Sequence, residues 1–224
     1  MENEYCHGND GFFFNLCLHE DDVSHGNEHN EYLVSKQEGE EYMENIITQF
    51  SLVIPDASHE SEYVRLMDKW EKLEANIQPE LMRRYNKEKD EYASYAKWLA
   101  WCKDDRTTGS MLSTHVPCSL HFLINHESEI YGAIAINHAN THRGHLHAGI
   151  VPWHRSKGYG TMMLRLALSR CREMGMRAVQ IVPHRDNVGA VKTILGNGGV
   201  WIEDFCEEGI WSSRFEIILR VQGE

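Results

Sequence analysis

No run in these 224 residues approaches the ~18–20 consecutive apolar side chains that a bilayer-spanning helix requires, so the sequence offers no candidate transmembrane helix. The first residues, Met1-Glu2-Asn3-Glu4, are acidic and lack the basic-then-apolar layout of a secretory signal, which makes a cytoplasmic location the expectation. There is no Cys-x-x-Cys pair. Cys6, Cys17, Cys102, Cys118, Cys171 and Cys206 are scattered, as reduced and buried thiols are in a chain of this length. A basic stripe of the kind nucleic acid selects is also missing. What remains is a chain of net charge −12 whose acidity is unevenly placed. Residues 1–49 hold twelve acids and one base, Lys36, whereas residues 50–224 hold twenty-two acids and twenty-one bases. The expected organisation is an acidic N-terminal arm, 1–49, followed by one near-neutral domain, 50–224.

In the arm, Gly11 to Leu18 suggests a short strand and Lys36 to Gln49 a helix. His19, His25 and His29 fit no helical pair or Cys/His framework, so no metal is expected. The domain centres on Val151-Pro152-Trp153-His154-Arg155-Ser156-Lys157-Gly158-Tyr159-Gly160-Thr161. Gly144 to Val151 reads as a strand ending at Pro152. Leu164, Ala167, Leu168, Cys171 and Met174 then recur at helical spacing up to Gly175. Two glycines beside Arg155 and Lys157, at the start of a helix whose first N–H groups lack internal partners, are the material of a phosphate cradle. The pattern is neither the dinucleotide fingerprint nor the P-loop.

Arg-x-x-Gly-x-Gly after a Val-Pro strand end, with Asp186-Asn187-x-x-Ala190 about thirty residues on, resembles the GCN5-related N-acetyltransferase (GNAT) superfamily. The resemblance spans about Phe50 to Arg220, is most specific over Ala148–Thr161, and is supported by Asn187–Gly199. It implies an α/β (α+β) GNAT fold: a mixed, mostly antiparallel sheet with helices on both faces, preceded here by the acidic arm. The strand and helix signals agree, in the order β-α-α-β-β-β-α-β-α-β-β. One long helix is expected from Pro79 to about Asp104, with Leu81, Tyr85, Tyr92, Tyr95, Trp98 and Leu99 on its inner face as core or as an acceptor groove.

The resemblance also implies an enzyme that uses acetyl-CoA as co-substrate, without a metal. Ala148, Gly149 and Ile150 would offer main-chain groups to the pantetheine arm. Arg155, Ser156, Lys157, Gly158, Tyr159, Gly160 and Thr161 would hold the pyrophosphate, and Asn187 would meet the coenzyme's amide chain. Many members carry a tyrosine seven residues after that asparagine as proton donor to the leaving thiolate; this chain has Ile194 there. For the base, His145, His138 and His147 are the candidates, since histidine titrates near neutrality. Trp211 and Arg214 match a strand that borders the acceptor cleft in the family. The expected partner is a small-molecule primary amine, with antibiotics, polyamines and amino acids among the candidates, and not nucleic acid or a membrane. A homodimer is a candidate assembly. Direct attack in a ternary complex is expected, because no cysteine is placed as an acyl carrier. Two other readings stay open: a non-catalytic acyl-CoA-binding regulator, and an acetyltransferase acting on protein amino groups.

Overall fold

The computed structural model describes residues 49–82, 94–108 and 116–219, and of 105–108 the backbone alone. Residues 1–48 of the acidic arm, with His19, His25 and His29, lie outside the described residues, as do Tyr85 and Tyr92. Among the described residues, seven strands and four helices follow in chain order: β1 (Phe50–Val53), α1 (Glu60–Trp70), α2 (Tyr95–Thr108), β2 (Cys118–Asn125), β3 (Ile130–Asn137), β4 (Leu146–Ile150), α3 (Tyr159–Glu173), β5 (Ala178–Ile181), α4 (Val188–Leu195), β6 (Val200–Glu207) and β7 (Ile210–Ile218). Every ladder is antiparallel, and there are two sheets rather than one, ordered β1-β2-β3-β4 and β5-β7-β6. They meet where the His145 N–H donates to the Gln180 carbonyl at 2.7 Å and Gly144 bridges Ile181.

Alternation along the central strands divides the core in two. Leu120, Phe122, Ala133 and Ala135 face α1 and α2, where Tyr63, Trp70 and Trp98 complete an aromatic cluster. The Tyr63 and Trp98 rings stack at 4.3 Å. Leu123, Ile134 and Ile136 face the other way, against Met163, Leu164, Leu168 and Cys171 of α3 and Phe215 and Ile217 of β7. The inner-face expectation for Tyr95, Trp98 and Leu99 is met, and they are core.

The long helix expected from Pro79 is replaced in its first turn by a 3-10 turn, Glu80–Met82, and a helix runs from Tyr95. The physical reason lies in two carbonyls that a helix would have used internally. Trp98 Nε1 donates to Leu81 O at 2.7 Å, and the Tyr63 hydroxyl donates to Met82 O at 2.8 Å. Tertiary side-chain donors therefore hold this segment against the core.

β6 is the least covered element. It forms an edge of its sheet and none of its eight residues is buried.

Candidate active site

The turn after β4 is built as its sequence suggests. Pro152–His154 makes one 3-10 turn, and Gly158, at φ +83°, caps α3 without a capping side chain. Ser156, at φ +59°, is also left-handed, a conformation that costs a non-glycine residue roughly 1–2 kcal/mol. A Cβ added at Gly158 would meet nothing within 4 Å, so the space in front of the first N–H groups of α3 is open. From beneath, His154 stacks on Tyr131 at 4.0 Å, and Tyr159 packs on Tyr131 and Phe50 at 4.8 and 5.3 Å. Tyr159 thus braces the turn.

The basic residues of the turn are already engaged. Arg155 Nε donates to Ile150 O at 2.9 Å, and its two terminal nitrogens grip both oxygens of Glu74, Nη2 at 2.7 Å. That guanidinium holds the Glu74 carboxyl below its ordinary range, with Trp70 Nε1 donating to it as well. Lys157 Nζ donates to Trp153 O at 3.1 Å.

β4 supplies the second feature. Its ladder with β3 is bounded by Asn137 N–H to His145 O at 2.8 Å and Val151 N–H to Tyr131 O at 3.0 Å. In an antiparallel ladder the hydrogen-bonded residues alternate, so His147 and Gly149 turn their backbone towards β3. Leu146, Ala148 and Ile150 turn theirs to the other edge, where β4 has no strand partner among the described residues. Gly149 permits a close approach on one face: a Cβ there would lie 2.0 Å from Gln78 O.

That approach seats one wall of a cavity of about 650 Å³. Its floor is Ala135, Asn137 and His147, one wall is Gln78–Leu81, and another is Asn140–Arg143. His147 Nε2 lies 3.2 Å from Asn137 Nδ2, which also donates to Gly144 O at 3.0 Å. Since that amide nitrogen can only donate, Nε2 is the lone-pair nitrogen of a neutral ring. Burial, together with Arg143, pushes His147 below the ordinary histidine pKa, and Glu80 opposes them.

Of the other expected bases, His145 is buried and accepts the Gln180 N–H at Nδ1, 3.0 Å away. His138 Nε2 shares a 2.5 Å hydrogen bond with Ser119 Oγ. Neither lines the cavity, so the three histidines are not brought together. Asn187 caps α4, its Oδ1 accepting the Ala190 N–H at 3.0 Å. Ile194 is 2% exposed and packs in the core. Trp211 is half-exposed beneath the Arg185 guanidinium, 5.4 Å away. Arg214 pairs with Glu203 at 3.0 Å and reaches Gln180 Oε1 at 3.4 Å. The cavity walls were missed by sequence reasoning; the only signal was the polar density of Asn140-Thr141-His142-Arg143 beside His145 and His147.

A family model described as the acetyltransferase (GNAT) family matches residues 69–196. The chain belongs to that family. This GNAT enzyme is an acetyl-CoA-dependent acetyltransferase, and its fold recurs in solved structures. The spermidine N-acetyltransferase from Vibrio cholerae, in complex with CoA and spermine, is similar at 14% identity and a TM-score of 0.53, over 77% of this chain and 96% of that one. The dodecameric structure of spermidine N-acetyltransferase from Vibrio cholerae in an intermediate state gives 14% and 0.51, over 77% and 95%. At that identity the likeness is one of fold. No curated protein sequence matches the GNAT chain.

The edge of β4, apart from the Ile150 carbonyl that Arg155 occupies, and the open turn suit a slender thioester arm joined to a diphosphate. Backbone N–H and C=O groups line the edge, and helix-start N–H groups suit phosphate oxygens.

Proposed function

We propose that domain 50–224 transfers an acetyl group from acetyl-CoA to the primary amine of a small molecule, by direct attack in a ternary complex. The observation that carries this is one strand with two uses. β4 turns the main chain of Ala148 to an unpaired edge, while its neighbour His147 lines a cavity large enough for a small amine. Acetyl-CoA, when bound, supplies a thioester whose carbonyl carbon takes the amine nitrogen as the carbon–sulfur bond breaks. The Ala148 N–H is the donor for the carbonyl oxygen, a contribution of ~2.7–4 kcal/mol where such donors are well aimed. His147 Nε2 takes the proton that the amine loses, exchanging its long contact with Asn137 for it. The N–H groups from Ser156 to Thr161 face the diphosphate, and Asn187 offers its amide beside the chain that follows. Among the described residues no cysteine lines the cavity, which supports direct transfer. The thiolate leaves without a tyrosine at position 194, since a thiol pKa near ~8.5 makes it a tolerable leaving group.

Thiol release from acetyl-CoA against a panel of amines, spermidine included, tests the proposal. Turnover of an amine supports it. Binding of acetyl-CoA without turnover of any amine in the panel would overturn the small-molecule acceptor and direct the search to protein amino groups. The proposal includes a homodimer, supported by the exposed apolar side chains of Val200, Trp201 and Ile202 along the free edge of β6.

A further inference from the structure

The cavity carries one charge of each sign. Glu80 stands on the wall Gln78–Leu81 and Arg143 on the wall Asn140–Arg143, with His147 on the floor between these elements. Both charged residues are exposed, and neither has a hydrogen-bond or ion-pair partner among the described residues. The contrast with the rest of the site is sharp. Arg155 is held by Glu74, and Arg214 by Glu203. Arg185 lies 3.9 Å from Asp204. Glu80 and Arg143 are left to face whatever enters.

We infer that the acceptor is a small amino carboxylate, a molecule bearing its amine and a carboxylate together. The inference rests on the acetyltransferase reading above and names its substrate class. A polycation would find a single carboxylate and would bring a second positive charge towards Arg143. A plain carboxylic acid would meet Glu80. An amino acid pairs with both: its carboxylate takes the fork of the guanidinium, which suits planar bidentate recognition, and its ammonium is drawn by Glu80 to the side of the neutral His147. That imidazole then receives the proton which must leave before the nitrogen can attack. Asn140, Thr141 and Gln78 add polar groups around the same space, and its volume of about 650 Å³ leaves room for a side chain and water.

Matched pairs test this with the full-length protein. Phenylalanine is compared with phenethylamine and ornithine with putrescine, with spermidine alongside, following thiol release from acetyl-CoA. The expected result is a kcat/KM at least about tenfold higher for the amino acid of each pair. Arg143→Met should bring that ratio close to one by lowering the amino acid's kcat/KM. A preference for the decarboxylated amines or for spermidine overturns the inference while leaving the acetyltransferase reading standing. If no amine is turned over, it is the acetyltransferase reading that fails. The ligand class is then decided by calorimetric binding of the same pairs in the presence of CoA: roughly tenfold tighter binding of the amino acids, lost in Arg143→Met, supports it, and equal or weaker binding overturns it.

Discussion

Replacing Gly149 by alanine adds one methyl group at the point where β4 and the acceptor wall touch. The new Cβ would sit 2.0 Å from Gln78 O and 2.9 Å from Gln78 C, whereas ordinary contacts begin at 3.4 Å. The Gln78 carbonyl must therefore retreat by about 1.4 Å. It has little freedom to do so, because the segment is fastened at Leu81 O by Trp98 and at Met82 O by Tyr63. Overpacking of this kind costs ~1–3 kcal/mol, and in a domain of this size each kcal/mol lowers the melting temperature by roughly 2–4 °C. A fall of roughly 2–12 °C is expected. The kinetic effect should fall on one substrate. The displaced segment lines the cavity, and misplacement by 1 Å can cost up to ~10²-fold in rate, so kcat/KM for the amine should drop about 10–100-fold. The KM for acetyl-CoA should move by less than about threefold, because the open backbone edge of β4 points elsewhere. Differential scanning calorimetry and two-substrate kinetics measure both effects. A melting temperature within about 1 °C of the parent, with unchanged amine kinetics, would refute the docking of this wall on Gly149.

His147→Gln should lower kcat/KM for the amine by ~10²–10⁴-fold, the span attributed to general base catalysis. It should also erase an acid limb that lies below pH 6.5 in the parent, because burial depresses the His147 pKa; an unaltered pH profile would dismiss it as the base. Stability should fall on acidification. Burial also depresses the folded-state pKa of His145 and His154, so their contribution is complete above the unfolded value near ~6.5 and is lost as pH falls through the folded values. Glu74, lowered by Arg155, adds a further loss below its ordinary 4.5. Urea midpoints at pH 7.5 and 5.0 should show the decline, and equal midpoints would contradict it. Trp201→Glu, on the uncovered edge strand, should convert the proposed dimer to monomer in light scattering; a parent that is already monomeric removes that assembly.

Local rules made much of this fold legible. The glycine turn follows from two glycines and a proline-ended strand, and α3 from its apolar spacing, both within a window of about twenty-five residues. The GNAT resemblance rests on Ala148–Thr161, with support from Asp186–Ala190 and Asn187–Gly199, and the structure uses Asn187 as a helix cap. The cavity was not legible in the same way. Its walls come from segments some sixty residues apart, and Gln78, Glu80, Asn140 and Arg143 look in sequence like ordinary solvated loop. The parting of the sheets was hidden too, because it turns on whether His145 bonds β3 or β5, and its backbone does both. Among the three candidate bases, alternation put His145 and His147 on one face, but only the packed structure distinguishes a ring that meets Gln180 from one that faces open space.

The grip of Arg155 on Glu74 has a consequence for the sequence of events in turnover. An incoming diphosphate that recruits the guanidinium must draw it off the carboxylate, and Glu74 stands only four residues before the stretch that shapes the amine's chamber. Donor arrival would thereby leave Glu74 held by Trp70 alone, beside the stretch that lines the chamber, and the two substrates would enter in a preferred order, coenzyme first. Glu74→Gln, which removes the competing anion, should turn an ordered product-inhibition pattern into a random one; a random pattern in the parent would show that the two events are independent.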